Sequence, residues 1–367
     1  MPDIRVKRLA DLLVRYSLDV KPGQLVMLRS STTASELITE AHRAILAQGG
    51  RSWPSLSVPG MEYIYYKHAS DEVLSTYHPF EKDINERIDA LLAVDCKTNS
   101  RELSNVDHSR VALSRKVRMP LRDILDKKEM EGRFRWVVGG FPSEGMAQDA
   151  GMSFCEFSDF VFESCGCHLE DPVSFWREKS REMHAAHKLL EGVKKIRMVG
   201  HKTDLTLSVE GRKWIICDGR VNMPDGEIFT SPVENSACGE VFFDIPTTYS
   251  GVEAGGIHLR LDKGRVTSAS AEKGEDFLSK MLDMDEGSKF LGEIAFGVND
   301  FIQKPCKSIL FDEKIGGTMH IAVGASYPEA GGKNKSGLHW DMIKEMKQGG
   351  YVEADGKRIY ENGKFIF

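Results

Sequence analysis

Apolar residues in the first third of the chain switch between two rhythms. Leu9, Leu12, Leu13 and Tyr16 recur at helical spacing, Pro22-Gly23 interrupts them, and Gln24-Leu25-Val26-Met27-Leu28 is a short apolar run suited to a buried strand. A second helix follows. Leu37, Ala41 and Ile45 line one of its faces, Thr33 and Glu36 have the form of a capping box at its start, and Gly49-Gly50 ends it. Residues 88–94 and 135–138 are further apolar runs closed by polar or glycine-rich sequence, as central parallel strands require. Residues 171–190 read as a helix.

The texture changes at Lys194. Residues 204–209 and 257–261 alternate apolar and polar positions, which marks strands with one wet face, and Asp262-Lys263-Gly264 has the form of a hairpin turn. The pattern predicts an α/β protein of two domains. The first, residues 1–185, is an amino-terminal α/β domain with a mainly parallel sheet; the second, residues 186–367, is a carboxyl-terminal α+β domain rich in antiparallel strands. No Pro/Gly/Ser-rich linker marks the boundary, so a continuous helix is expected to cross it.

Composition agrees with two cores. A chain of 367 residues, 41% of them hydrophobic, exceeds what one core comfortably organises. The charged residues mix both signs and the net charge is -6, so no basic surface favours nucleic acid or an anionic membrane. The amino terminus, Met1 to Lys7, alternates charged and apolar residues, unlike a signal peptide, and no run approaches the roughly 20 apolar residues of a membrane span. The seven cysteines are odd in number and scattered, which fits reduced thiols and a cytoplasmic setting.

Several motifs carry no chemistry. Gly331-Gly332-Lys333-Asn334 lacks both the leading glycine and the hydroxyl of a phosphate-binding loop, and neither a dinucleotide fingerprint nor a Gly-x-Ser-x-Gly elbow occurs. Cys165-Gly166-Cys167-His168 has no second ligand pair to complete a zinc site. His184 and His187 fall three apart on a helix without the glutamate placement of zincins, and their charged neighbours suggest a solvated face.

Five segments of the second half are different. In Leu338-His339-Trp340-Asp341-Met342, an extended chain turns His339 and Asp341 to one face, where they can grip one cation or form a buried hydrogen bond. His320 shares a strand face with the small residues Ala322 and Gly324, which leave room beside the ring, though from the fragment alone a satisfied core histidine is the commoner reading. The Tyr327 phenol, in a glycine-rich loop, is suited to an oxyanion or to capping a strand end. Glu227 and Glu293 each follow a glycine in an apolar run, where a carboxylate needs an ion pair, a hydrogen-bond network or a metal. Three carboxylates and two imidazoles match the mixed donor set of a two-metal hydrolytic site.

Asn222 to Pro232, Leu291 to Ala295, His320 to Gly324 and His339 to Ile343 resemble the signature segments of the thermophilic aminopeptidase family, the aminopeptidase T and aminopeptidase S metallopeptidases. The resemblance implies two divalent ions (zinc, cobalt or manganese) held by Glu227, Glu293, His320, His339 and Asp341. It further implies catalytic roles for Glu293 and Tyr327, peptide substrates with a free amino terminus, and a homodimer enclosing an inner cavity. Asp312-Glu313 is a candidate acidic group for the substrate amine, although a surface turn or helix cap is the plainer reading. The chain is somewhat shorter than the family pattern, and the connection from His320 to His339 differs in length, which bears on the shape of the cavity.

A branch with ring-opening dioxygenases of hydroxylated pyridines resembles the same family and uses one iron on two histidines and an aspartate. His320, His339 and Asp341 would suffice for that site, whereas Glu227 and Glu293 would be superfluous.

Overall fold

The computed structural model describes residues 3–367, which divide into two compact units. One comprises residues 3–175 with Gly219–Pro224, and the other Trp176–Asp218 with Asp225–Phe367. The change of unit falls inside a continuous helix at Phe175/Trp176, and a short segment returns to the first unit.

The first unit is built on a parallel sheet. Helix α1 (Ile4–Leu12) precedes β1 (Leu25–Ser31), helix α2 (Ser35–Ala47) leads to β2 (Arg51–Ser57), and β3 (Ala90–Asp95) and β4 (Arg135–Gly140) follow. The sheet order is β2-β1-β3-β4, extended by the two-residue strand Asn222–Met223, and every pairing is parallel. On one face Met27 and Leu91 pack with Ile84 of α3 (Pro79–Arg87), Leu125 of α4 (Met119–Met130) and Trp136.

The Thr33–Glu36 capping box does not form. Ser31 instead accepts the Thr33 amide at the start of a one-turn 3-10 helix, Thr32–Ala34, and α2 begins behind it without a side-chain cap. The extra turn satisfies the backbone donors that the box would have served.

Helix α5 (Pro172–Leu190) opens into the second unit, which holds two larger antiparallel sheets and a two-stranded one, Thr247–Tyr249 with Val252–Ala254. The larger is formed by β5 (Lys195–Gly200), β6 (Thr203–Ser208), β9 (Cys238–Phe243), β10 (Ile257–Asp262), β11 (Arg265–Ser270), β15 (Tyr351–Ala354), β16 (Lys357–Glu361) and β17 (Lys364–Phe365). Its order is β11-β10-β9-β6-β5-β15-β16-β17. The expected hairpin joins β10 to β11, with Lys263 and Gly264 both at positive φ, as a two-residue turn between twisted strands requires.

The smaller sheet has the order β14-β13-β12-β8-β7. Its strands are β7 (Ile215–Cys217), β8 (Glu227–Thr230), β12 (Leu291–Gly297), β13 (Thr318–Gly324) and β14 (His339–Glu345). Ile294, Phe296, Met319, Ile321 and Trp340 of this sheet share one core with Met198, Leu207, Val241 and Leu259 of the larger. Alternation then fixes what the other face carries. Among the described residues no helix is long and apolar enough to cross a membrane.

Candidate metal centre

Glu227, Glu293, His320, His339 and Asp341 all lie on the face of the smaller sheet turned away from that core. On β13 the core takes Met319, Ile321 and Val323, so His320 and Ala322 point the other way; on β14 it takes Trp340 and Met342, leaving His339 and Asp341. On β8 Ile228 enters the core and Glu227 does not.

Glu293 needs a special device. Leu291 belongs to the core, and strict alternation would send Glu293 there too. A bulge between Leu291 and Glu293 inserts Gly292, reverses the phase and puts the carboxylate on the open face. Only glycine fits the bulge, because a Cβ at 292 would stand 2.0 Å from the Ala325 carbonyl oxygen. Gly226, ahead of Glu227, is likewise constrained: its φ is +121° and a Cβ there would meet Asn299 at 2.9 Å.

The register completes the cluster. Ala322 pairs with Glu293 on one side and Asp341 on the other, so two carboxylates flank a methyl group in one row. Nε2 of His339 lies 3.2 Å from Glu293 and 3.4 Å from Asp341, and Nε2 of His320 lies 3.7 Å from Glu293. Nδ1 of His339 is 2.8 Å from the Ala325 carbonyl, which as acceptor holds the ring with Nε2 toward the carboxylates. Tyr327 packs its ring on Phe229 at 4.9 Å and edge-on to His339 at 5.1 Å.

Two sets of potential ligand atoms gather within 4.8 Å of one another: Glu227, Glu293 and His320, and Glu293, His339 and Asp341. Glu293 belongs to both. A third set, Glu313, His320 and Asp341, overlaps them. Glu227 Oε2, His320 Nδ1 and Asp341 Oδ1 are buried without a hydrogen-bond partner, so this mixed oxygen and nitrogen set suits a divalent cation that would satisfy them.

The electrostatics report the same crowding. Burial pushes the Glu227 carboxyl up, against the pull of Lys314 and His320. Burial also raises the Asp341 carboxyl, but the His339 imidazole beside it outweighs this and holds it below the usual range. For His339, burial disfavours the proton while Asp341 and Glu293 favour it more strongly, raising its pKa to about 11. His320 moves the same way, burial being overcome by Glu293 and Glu227. Burial, reinforced by Glu293 and Asp341, pushes the Tyr327 phenol far upward, so it remains a proton donor. Without a cation, protons on the imidazoles take part of its place.

Lys314 is the neighbour that the sequence did not disclose. Its side chain is 1% exposed, its Nζ lies 3.5 Å from Glu227 Oε2, and it forms a close ion pair with Glu313. A lysine beside Asp312-Glu313 carries no local sign of burial, since charged runs are ordinarily solvated. The surface reading of Asp312-Glu313 gives way accordingly. Asp312 is buried, accepts the Cys306 amide at 2.7 Å and is pushed by burial to about 6. Glu313 reaches the cluster. None of the seven cysteines forms a disulfide among the described residues; Cys165 and Cys167 are buried, and neither they nor His168 join a ligand group there.

Known proteins share this framework. "Aminopeptidase AmpS" of Bacillus subtilis (strain 168) is 25% identical over 98% of this chain and 97% of its own length. Wild-type AmpT from Thermus thermophilus has the same fold, with a TM-score of 0.83 at 23% identity over 99% of both chains. The 2,5-dihydroxypyridine dioxygenase from Pseudomonas putida KT2440 superimposes with a TM-score of 0.64 at 15% identity over 98% of this chain and 96% of that one. Two chemistries therefore accompany one fold. Sequence is more telling: residues 3–365 match the model of the thermophilic metalloprotease (M29) family, and the chain belongs to that family.

Proposed function

We propose that this chain is a metal-dependent aminopeptidase whose ions, two per chain, are held by Glu227, Glu293, His320, His339 and Asp341. The M29 family supports a metal-dependent peptide hydrolase, and relatives spanning nearly the whole chain carry aminopeptidase names. The observation that carries the two-ion reading is the sharing of Glu293 by two ligand groups on one sheet face. Its substrates are peptides with a free amino terminus, its setting the cytoplasm, and its working form a homodimer.

Divalent ions bound there supply Lewis acidity and an activated water. The chain's own residues do the rest. Tyr327, which keeps its proton, donates to the oxyanion formed at the scissile carbonyl. Glu293 takes the proton from the attacking water at a carboxylate oxygen and hands it to the leaving amine. His339, held by the Ala325 carbonyl, and Asp341, fixed in register beside Ala322, keep the ligand geometry rigid.

Elemental analysis of the purified protein, paired with leucine p-nitroanilide hydrolysis before and after chelation, tests this reading. The expected result is about two divalent ions per chain and chelator-sensitive release. One iron per chain, with oxygen uptake on a dihydroxypyridine and no p-nitroaniline release, would overturn it.

A further inference from the structure

The first unit holds a cavity of its own, of about 740 Å³, between one face of the parallel sheet and helices α3 and α4. Its lining lies wholly within residues 27–138, so no side chain of the metal centre takes part. Register builds its floor. Trp53, Met27, Leu91 and Trp136 pair in one row across β2, β1, β3 and β4, and Ser55, Arg29, Ala93 and Val138 pair in the next row, nearer the carboxyl ends of the strands. Alternation turns both rows to the cavity.

Arg29 is the one charged residue of those two rows. The other charged groups at the cavity stand on or beside the helices and are already engaged: Arg118 pairs with Glu81 at 3.2 Å, Arg122 with Asp126 at 3.6 Å, and Glu129 accepts the Trp136 indole N–H at 3.0 Å. No carboxylate among the described residues forms an ion pair with Arg29, whose Nη2 has the Met27 sulfur for a partner at 3.8 Å. Water reaches the guanidinium, yet the surrounding protein desolvates it enough to lower its pKa, with Glu81 only partly opposing this. A cation left unpaired in a largely apolar cavity is costly unless an anion arrives to meet it.

Topology favours the same spot. From β1 the chain passes to β2 on one side and then to β3 on the other, so β1 and β3 border a switch point, and open α/β sheets bind ligands at the carboxyl ends of such strands. Arg29 and Ala93 are register partners across it. The turn after β1, Ser31-Thr32-Thr33-Ala34, has no glycine with which to cradle a phosphate, whereas a single guanidinium fork matches a carboxylate. The indoles of Trp53 and Trp136 end the row that Met27 and Leu91 occupy, which suits a flat apolar body. The volume lies within the range of small-molecule sites.

We infer that this cavity is a binding site for an aromatic carboxylate, whose carboxylate engages Arg29 and whose ring lies on Met27 and Leu91 between the two indoles. The ligand is either a free aromatic acid or the carboxyl-terminal aromatic residue of a peptide. The inference is independent of the aminopeptidase reading.

The test is calorimetric titration of the protein with 3-phenylpropionate and with 3-phenylpropionamide, its uncharged counterpart. The acid should bind once per chain with a dissociation constant of about 1 mM or tighter, and roughly 10-fold or more above the amide in affinity. Removing metal with a chelator should leave this binding unchanged, which separates it from a carboxylate held at the metal centre. Arg29→Gln should weaken the acid roughly 10- to 100-fold and leave the amide unaltered. Ala93→Leu, which fills the floor beside Arg29, should weaken both. Neither residue belongs to the proposed metal centre, so leucine p-nitroanilide hydrolysis by both variants should match wild type. N-acetyl-glycyl-phenylalanine separates the two sources: binding comparable to that of the acid assigns the cavity to a peptide carboxyl terminus, and exclusion of the peptide with the acid still bound assigns it to a free acid.

Absence of saturable binding up to about 10 mM acid overturns the inference. Equal affinity for acid and amide does so too, as does loss of binding on chelation or undiminished binding by Arg29→Gln. If the glutamine variant does not fold, Ala93→Leu decides: weakened binding of the acid supports the site, and unchanged binding refutes it.

Discussion

Glu293→Gln is the most demanding perturbation of the proposed site, because the change keeps the size of the side chain and removes only its charge and one acceptor. Glu293 faces His339 at 3.2 Å and His320 at 3.7 Å from a position 2% exposed. Unit charges at that separation interact by about 5 kcal/mol at an effective dielectric of 20. Removing one partner of a buried pair costs about 3–5 kcal/mol by mutational experience. The amide oxygen still coordinates weakly, so a net loss of about 3–4 kcal/mol in cation affinity is expected, or roughly 10²- to 10³-fold. Both ligand groups should weaken together, since both contain Glu293.

The assay is calorimetric titration of chelator-stripped wild type and variant with zinc or manganese chloride, alongside leucine p-nitroanilide turnover at saturating metal. Turnover should be abolished even when the site is filled, because the proposed proton carrier is gone. The fold should persist: an isosteric amide relieves repulsion among the remaining carboxylates as it loses contacts to the imidazoles. Affinity and turnover both within threefold of wild type would remove Glu293 from ligation and from catalysis. Weakened affinity with full turnover at saturation would confine it to ligation.

Three further outcomes follow from the geometry. Tyr327→Phe should keep the ring contacts with Phe229 and His339, hence metal content and thermal midpoint, while kcat falls about 10²- to 10³-fold, the usual effect of deleting an oxyanion donor; an unaltered kcat would leave the phenol a packing role alone. Gly292→Ala drives a Cβ into the Ala325 carbonyl and should destabilise the chain by about 1–3 kcal/mol in urea unfolding while lowering metal affinity, because it displaces the bulge that aims Glu293. Metal affinity should rise with pH. In the metal-free chain His339 holds its proton up to about 11 and His320 is raised as well, so cation uptake at neutral pH must expel those protons, and affinity is lost as pH falls. Calorimetry in buffers of different ionisation heat counts the protons released, and a count of zero at pH 7 would contradict the ligand assignment.

How far the site is legible in sequence depends on whether alternation is intact. His339 and Asp341, two apart on one strand, are correctly read as sharing a face, and so are His320 and Ala322. Glu293 is recognised by its apolar setting, yet its direction cannot be derived by counting, because the count fails at Gly292. The strands of the parallel sheet are plain because their apolar runs are short and closed by polar or glycine-rich sequence. Lys314 is invisible for the opposite reason: burial of a lysine depends on carboxylates from β8 and from its own loop meeting in space, and no local pattern encodes that meeting. The capping box fails on a smaller scale, since Thr33 and Glu36 have the right spacing but Ser31, two residues earlier, already serves the helix entrance.

The fold does not choose the reaction. A dioxygenase superimposes on this chain at 15% identity, so sheet order and strand direction are compatible with quite different chemistry. Choice rests with the side chains on one face of the smaller sheet. His320, His339 and Asp341 alone would meet the needs of a single cation, and two of these lie on the edge strand β14. Glu227 and Glu293 extend the cluster inward onto β8 and β12, and each depends on a glycine that tolerates no side chain. Two constrained backbone positions, spent on aiming two buried carboxylates at the same space, make little sense for a mononuclear site. They make sense if a second cation must be held beside the first, with Glu293 between them.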